Sequence, residues 1–157
     1  MKRINLNSIA FLLSLITLVS CNSNKVYDEY QSINTDGWLL TDTIAFEVEV
    51  SANERVTYNY LIGLRNNNEY LFSNLFLFVE IENPLGQKQV DTLQYLLAEP
   101  DGKWKGAGVG TIKSNLFEYK KSQTMAVGVY KFKIAHGMRS KILVGLEDVG
   151  LRIESIK

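Results

Sequence analysis

The chain has 157 residues, with 17 basic and 17 acidic side chains, one histidine and one cysteine. A single cysteine excludes a disulfide framework and a cysteine-based metal site. The balanced charge offers no basic face of the kind that nucleic-acid binding requires, and 46% hydrophobic residues with only two prolines argue against a disordered stalk.

Residues 1–20 have the pattern of an export signal. Lys2 and Arg3 precede the apolar run 9–19, and the small residue Ser20 lies just before Cys21. A basic start, a short apolar core and small residues at a cleavage site are typical of secretory signal peptides. The run has about 11 residues, whereas a membrane-spanning helix needs roughly 20. The alternatives are an N-terminal anchor that is never cleaved and a buried helix.

The segment Leu18-Val19-Ser20-Cys21 resembles a bacterial lipobox. The resemblance implies cleavage before Cys21 and a diacylglycerol on its sulfur, with acyl chains such as palmitate. Residues 21–25 would then be the lipidated cysteine and a short polar tether, which reaches roughly 15–18 Å when fully extended. Since two or more acyl chains hold a protein stably on a bilayer, we expect a lipid-anchored protein whose domain stays close to its membrane.

Residues 26–157 are predicted to form one β domain. Period-two alternation of apolar and polar side chains marks half-buried strands. The clearest examples are 44–50, 57–64, 127–135 and 144–156. Weaker strands are predicted over 75–81, 87–97 and 116–119, and 26–33 is either a first strand or an irregular lead-in. The run 75–81 is apolar on both faces at first, which favours a central strand covered on both sides.

Turn signals separate these strands. Asp36-Gly37, the asparagine-rich segment 65–69 and Asn83-Pro84-Leu85-Gly86 combine residues that turns prefer. The glycine-dense segment 98–110 is predicted to be a loop with Trp104 pinned back to the body. A single helical turn is the most that 98–102 or 140–147 could hold. Short strands with turns between them predict an all-β fold: an antiparallel two-sheet β-sandwich, with the jelly roll as one candidate topology.

The sequence contains no complete catalytic motif. Gly106-Ala107-Gly108-Val109-Gly110 lacks the Gly-Lys-Ser/Thr and the helix that follow in a phosphate loop. His136 has no second histidine or cysteine with which to bind zinc, and no Gly-x-Ser-x-Gly sequence is present. We therefore predict that the protein is not an enzyme and has no cofactor and no bound metal.

An alternative hypothesis is a glycan- or calcium-binding β-sandwich lipoprotein. Trp38, Trp104 and the tyrosines could line a sugar-binding face. Five acids lie in loops or near strand ends, namely Asp91, Glu99, Asp101, Glu147 and Asp148. Their spacing shows no calcium-loop signature, so this hypothesis predicts a groove of aromatics and acids near Trp104 and Asp101.

Several segments along the mature chain together resemble the GldH family of gliding-motility lipoproteins from Bacteroidetes. They are 26–30, 64–70, 72–76, 91–95, 99–104 and 148–153, in the same order as in the family. The resemblance implies a non-catalytic envelope lipoprotein that supports the gliding machinery, which is tied to type IX secretion, by contacts with other envelope proteins. It implies no nucleic acid and no small-molecule substrate.

The most specific parts of the resemblance are the Arg-Asn-Asn and Pro-Asp-Gly segments. They give a candidate interaction surface formed by Arg65, Asn66, Asn67, Asp101 and Trp104, and Cys21 is a separate site of lipidation. In Bacteroidetes, a short acidic run after the cysteine tends to accompany export to the cell surface, and the chain lacks that run. We therefore expect a lipid-anchored outer-membrane protein that faces the periplasm.

Overall fold

A computed structural model describes residues 24–51 and 56–156. The predicted signal peptide, Cys21 and the first residues of the predicted tether lie outside this range. The described residues form ten β-strands and no α-helix, which confirms the all-β prediction. Within them, no helix is long and apolar enough to cross a membrane.

Eight long strands and two short ones follow one another along the chain. They are β1 (Lys25–Ser32), β2 (Trp38–Leu39), β3 (Ile44–Val50), β4 (Thr57–Asn66), β5 (Asn74–Glu82), β6 (Lys88–Leu96), β7 (Lys113–Thr124), β8 (Gly128–His136), β9 (Ile142–Leu143) and β10 (Leu146–Ile156). The predicted strand 44–50 coincides with β3, and the ambiguous segment 26–33 is a strand, β1, at the edge of its sheet.

The long strands form two four-stranded sheets, which confirms the predicted antiparallel sandwich. The first sheet has the order β1-β10-β4-β7 and the second β3-β8-β5-β6, while β2 and β9 form a separate ribbon. Every pairing is antiparallel. Successive long strands alternate between the sheets, except for the β5-β6 hairpin. This is the strand order of a jelly roll, the candidate topology named from the sequence.

The inward faces of the two sheets build one hydrophobic core. The first sheet contributes Tyr58, Tyr60, Ile62, Leu64, Val149, Leu151 and Ile153, and the second contributes Phe46, Val48, Leu75, Leu77, Val79, Phe132 and Ile134. These are the apolar positions of the predicted period-two patterns. The rings of Tyr60 and Phe132 meet edge to face across the sandwich with centroids 5.5 Å apart, a geometry that aromatic pairs prefer.

Two local predictions were wrong. Strand β5 is central in its sheet but covered on one face only, because Phe78 points outward and is 45% exposed. The predicted short strand 116–119 is the centre of the 12-residue β7, which pairs with β4 along its length. The segments 98–102 and 140–147 contain no helix, which agrees with the predicted limit of a single turn. The second segment contains β9, because pairing with β2 supplies its backbone hydrogen bonds.

The β2-β9 ribbon covers one end of the core. Trp38 is buried, its indole N–H donates to the carbonyl of Asp42 at 3.1 Å, and its ring meets His136 edge to face at 5.4 Å. His136 is 1% exposed, and neither ring nitrogen has a hydrogen-bond partner among the described residues. Burial lowers the pKa of His136, and the nearby Trp38 backbone and Asp42 carboxylate offset only part of that effect.

The buried histidine predicts a loss of stability in mild acid. Its pKa is about 6.5 when unfolded and lower when folded, so below about pH 6.5 the unfolded chain binds the extra proton and stability falls as pH falls. The slope can reach about 1.4 kcal/mol per pH unit. Urea unfolding of a soluble form without residues 1–21 should show this slope as the pH falls below about 6.5. His136→Gln should flatten it, and an equal slope in both proteins would contradict the prediction.

Candidate interaction surface

The sandwich has two dissimilar ends. The tether end contains Asn24, where the described chain begins, and the turns 83–87 and 124–128. The loop end contains the long segments 67–73, 97–112 and 137–145. Strand β4 has 10 residues, so at about 3.3 Å per residue the two ends lie roughly 30 Å apart.

Several predicted surface residues meet at the loop end. Asn67 donates from its side-chain amide to Glu147 Oε1 at 2.6 Å and from its backbone to the Gly145 carbonyl at 2.9 Å. The Trp104 indole N–H donates to Asn68 Oδ1 at 3.1 Å. These contacts join the segments around 67, 104 and 146, which lie far apart in the sequence, into one surface.

Trp104 is pinned back to the body, as the sequence predicted. Its backbone bridges to Ala98, and its ring lies against Tyr70 with centroids 6.5 Å apart. Burial raises the pKa of the Tyr70 hydroxyl, which donates to the carbonyl of Asn74 at 2.9 Å. The indole of Trp104 is therefore half-buried and held on one side, with the remainder at the surface.

Asp101 lies in an exposed turn close to Trp104. Its Oδ1 accepts a hydrogen bond from the backbone of Lys103 at 3.0 Å. The backbone N–H of Glu99 closes the turn by donating to the Lys103 carbonyl at 2.8 Å. Gly102 has φ +85°, a conformation that glycine adopts without a steric penalty. Asp101 thus adds an exposed negative charge to the loop end.

Asn66 does not belong to the exposed surface. Its side chain is fully buried, its Oδ1 accepts from the Asn115 amide at 3.1 Å, and its own amide donates to the Asn67 carbonyl at 3.3 Å. A buried polar side chain costs free energy unless it is hydrogen-bonded, and these two bonds engage both the oxygen and the nitrogen of the Asn66 side chain. Asn66 therefore supports the loop end from beneath, while Asn67, Asp101 and Trp104 remain accessible.

Arg65 lies on the outer face of the first sheet, next to Tyr30, a contact that was not predicted from the sequence. The Tyr30 ring lies across Gly63 and Gly150, so that a Cβ atom at either glycine would fall within 2.6 Å of a ring or hydroxyl atom. The Arg65 guanidinium stacks over the same ring, 5.1 Å from its centroid. A glycine inside a strand often marks such a close approach. Gly63 and Gly150, each within a strand, were therefore the sequence signal for a side chain packed across the sheet.

Ion pairs hold this outer face together. Arg65 Nε lies 2.9 Å from Asp148 Oδ2, and Ser32 donates to the other Asp148 oxygen at 2.8 Å. Arg152 Nε lies 2.9 Å from Asp28 Oδ1. Partial burial alone would raise the pKa of Asp28, but the hydrogen bonds from Arg152 and Lys25 outweigh it and keep that pKa below its usual value. The result is a charged face whose side chains are fixed to one another.

The geometry gives little support to the glycan or calcium alternative. Among the described residues, no three histidine, cysteine or acidic side chains converge as a metal site would require. Asp91 pairs with Lys120 at 2.8 Å and accepts from the Tyr119 hydroxyl at 2.6 Å, so its charge is balanced within the protein. The Trp104 indole N–H is engaged by Asn68 at 3.1 Å, and its ring lies against Tyr70.

Comparison with known proteins agrees with the sequence resemblance. The sequence profile of the GldH lipoprotein family matches residues 25–153. A gliding motility lipoprotein GldH from Flavobacterium johnsoniae is 39% identical over 155 residues, covering 94% of this chain and 96% of its own. A GldH homologue from Christiangramia forsetii is 38% identical over 152 residues, covering 92% of each chain. Among solved structures, that of an infectious bursal disease virus protein is 14% identical with a TM-score of 0.36, and the matched part spans 30% of the viral chain.

Proposed function

The chain belongs to the GldH lipoprotein family, a family of lipid-anchored envelope proteins of gliding motility, and we propose that it acts there as a non-catalytic binding component. In this proposal it supports the gliding machinery and type IX secretion by contacts with other envelope proteins. The observation that carries the proposal is the family match over nearly the whole described chain.

We assign the lipid to Cys21 and the protein to the periplasmic face of the outer membrane. The lipobox-like segment before Cys21 and the lack of an acidic run after it support this assignment. Asn24 begins strand pairing only three residues after Cys21, because the backbone of Ser155 donates to its carbonyl at 2.8 Å. The domain therefore starts almost at its anchor.

The loop end is the proposed contact surface for partner proteins. It combines a half-exposed tryptophan, an exposed carboxylate and the amide of Asn67, all held by hydrogen bonds to the sandwich. Tryptophan and arginine are enriched among residues that dominate binding energy at protein interfaces. Trp104 at the loop end and Arg65 on the adjoining outer face match that composition.

Trp104→Ala and Asp101→Lys test this surface. We expect both variants to lose co-purification with envelope neighbours after detergent solubilisation, and to reduce colony spreading in a gliding host whose own gene is deleted. For Trp104→Ala a loss of about 2 kcal/mol, or about 30-fold in affinity, is typical of a central interface residue. Circular dichroism should show that both variants remain folded.

Glu47→Lys is the matched control for the charge reversal. Glu47 is exposed on β3, on the outer face of the second sheet and away from the loop end. It should co-purify with neighbours and support spreading like the wild type. If Trp104→Ala and Asp101→Lys both behave like Glu47→Lys, the contact surface lies elsewhere on the molecule.

A further inference from the structure

We propose that the tether end of the sandwich rests on the membrane, with the side chains of Leu85 and Val127 in the lipid interface. The loop end then points away from the bilayer. This inference rests on the proposed lipid at Cys21 and adds the orientation of the domain relative to it.

Chain length places the tether end close to the anchor. Asn24 is fixed to β10, since its carbonyl accepts from the Ser155 backbone at 2.8 Å and its amide donates to the Ser155 carbonyl at 3.3 Å. Asn24 is three positions after Cys21, and three extended residue steps span at most roughly 11 Å. The lipid-bearing sulfur therefore stays near this end, about 30 Å from the loop end.

A rigid turn presents Leu85 to the outside at the same end. Leu85 is 83% exposed, although its backbone is tightly held. Asn83 Oδ1 accepts from the backbones of Leu85 at 3.0 Å and Gln87 at 2.9 Å, and Gly86 donates to the Asn83 carbonyl at 2.9 Å. A large apolar side chain fixed in an outward position has no packing role within the described sandwich.

The turn at 124–128 places a second apolar side chain beside the first. Val127 is 50% exposed. A Cβ atom at Gly128 would lie 2.7 Å from the Pro84 ring, so the two turns are in contact. The Ala126 backbone donates to the Tyr130 hydroxyl at 2.9 Å, which fixes this second turn. Leu85, Pro84 and Val127 thus form one apolar tip.

The absence of charged residues from both turns supports a lipid surface as the binding partner of this tip. Neither turn contains a charged residue: they read Asn-Pro-Leu-Gly-Gln and Thr-Met-Ala-Val-Gly. The nearest lysine along the chain, Lys88, is paired with Glu80 at 3.0 Å and Glu82 at 3.4 Å. Apolar side chains on uncharged turns can enter the interface between headgroups and acyl chains at little cost in free energy, whereas burying an unpaired charge there would cost much more.

Single introduced cysteines test the orientation in the lipidated full-length protein. Cys21 is the only cysteine, and a thioether-linked lipid blocks its reaction with maleimides, so an NBD label attaches only at the new position. The variants are Leu85→Cys and Val127→Cys at the tip. Val109→Cys is the control, because Val109 is fully exposed at the loop end. Each is reconstituted into phosphatidylethanolamine and phosphatidylglycerol vesicles that carry doxyl-labelled acyl chains.

We expect NBD at positions 85 and 127 to be quenched several-fold more than NBD at position 109. Equal quenching at the three positions in vesicle-bound protein would overturn the orientation while leaving the anchor intact. Labelling of the wild-type protein would instead reveal a free Cys21 thiol. That result would overturn the anchor and, with it, this inference, so the two failures are distinguishable.

Discussion

Replacement of Cys21 by alanine should move the protein from the membrane fraction to the soluble fraction. In the proposed anchor, the acyl chains on Cys21 hold the protein on the bilayer. Each buried CH₂ contributes about 0.8 kcal/mol, and two chains are needed for stable anchoring. Removing all of them should leave only the weak contact of the apolar tip. Ultracentrifugation of cell lysates and immunoblotting measure the distribution.

Asn22→Ala is the matched control, since it changes the adjacent residue and keeps the cysteine. It should sediment with the membranes like the wild type. The Cys21→Ala domain should stay folded, because its core is formed by the two sheets and Asn24 still pairs with Ser155. In a gliding host the soluble variant should fail to restore spreading. A Cys21→Ala protein that remains in the membrane fraction would show that another feature of the chain attaches it.

The strands that could be predicted from the sequence are those with one buried face. Strand β3 alternates Phe46, Val48 and Val50 with Ala45, Glu47 and Glu49, and burial follows that alternation residue by residue. Strand β8 behaves in the same way, whereas β10 departs from strict alternation because Asp148 and Gly150 are buried as well as Val149 and Leu151. The alternation of apolar and polar residues within a single strand shows which face of that strand is buried, so a few neighbouring residues are enough for the prediction.

Features that depend on long-range pairing could not be read from the same patterns. Strand β7 is polar at many positions and is ordered by its pairing with β4. Phe78 belongs to an apolar run, yet the outward face of its sheet is open, and no local signal distinguishes the two environments. Jelly-roll order also requires knowing which strands pair across more than a hundred residues, such as β1 with β10.

Only part of the candidate surface could be predicted from the sequence, because the rest depends on contacts between distant segments. Asn67, Asp101 and Trp104 were singled out by family resemblance, and the fold brings their segments to one end. Asn66 has the same character in the sequence as Asn67, but inward and outward positions alternate along β4, and the side chain of Asn66 pairs with Asn115 in the interior. Tyr30 was missed because its partners, Gly63 and Gly150, come from two distant strands.

Gly145→Ala should destabilise the protein strongly and disturb the loop end. Gly145 has φ +83°, and a Cβ atom there would lie 2.1 Å from the backbone nitrogen of Tyr70. A left-handed alanine costs about 1–2 kcal/mol, and overpacking against backbone adds about 1–3 kcal/mol. Because the Gly145 carbonyl accepts from the Asn67 backbone at 2.9 Å, relief of the clash must also shift the segment that carries Asn67 and Asn68.

Gly86→Ala separates the cost of the left-handed backbone conformation from the cost of the steric clash. Gly86 has nearly the same φ, +77°, but no atom lies within 4 Å of the added Cβ. Its cost should therefore be the conformational term alone, about 1–2 kcal/mol. Urea unfolding measures both free energies, and tryptophan fluorescence should shift in Gly145→Ala because Trp104 donates to Asn68. Equal destabilisation by the two substitutions would mean that the 67–70 segment moves away from Gly145 without a cost in free energy. The contact between Gly145 and this segment would then not fix the loop end.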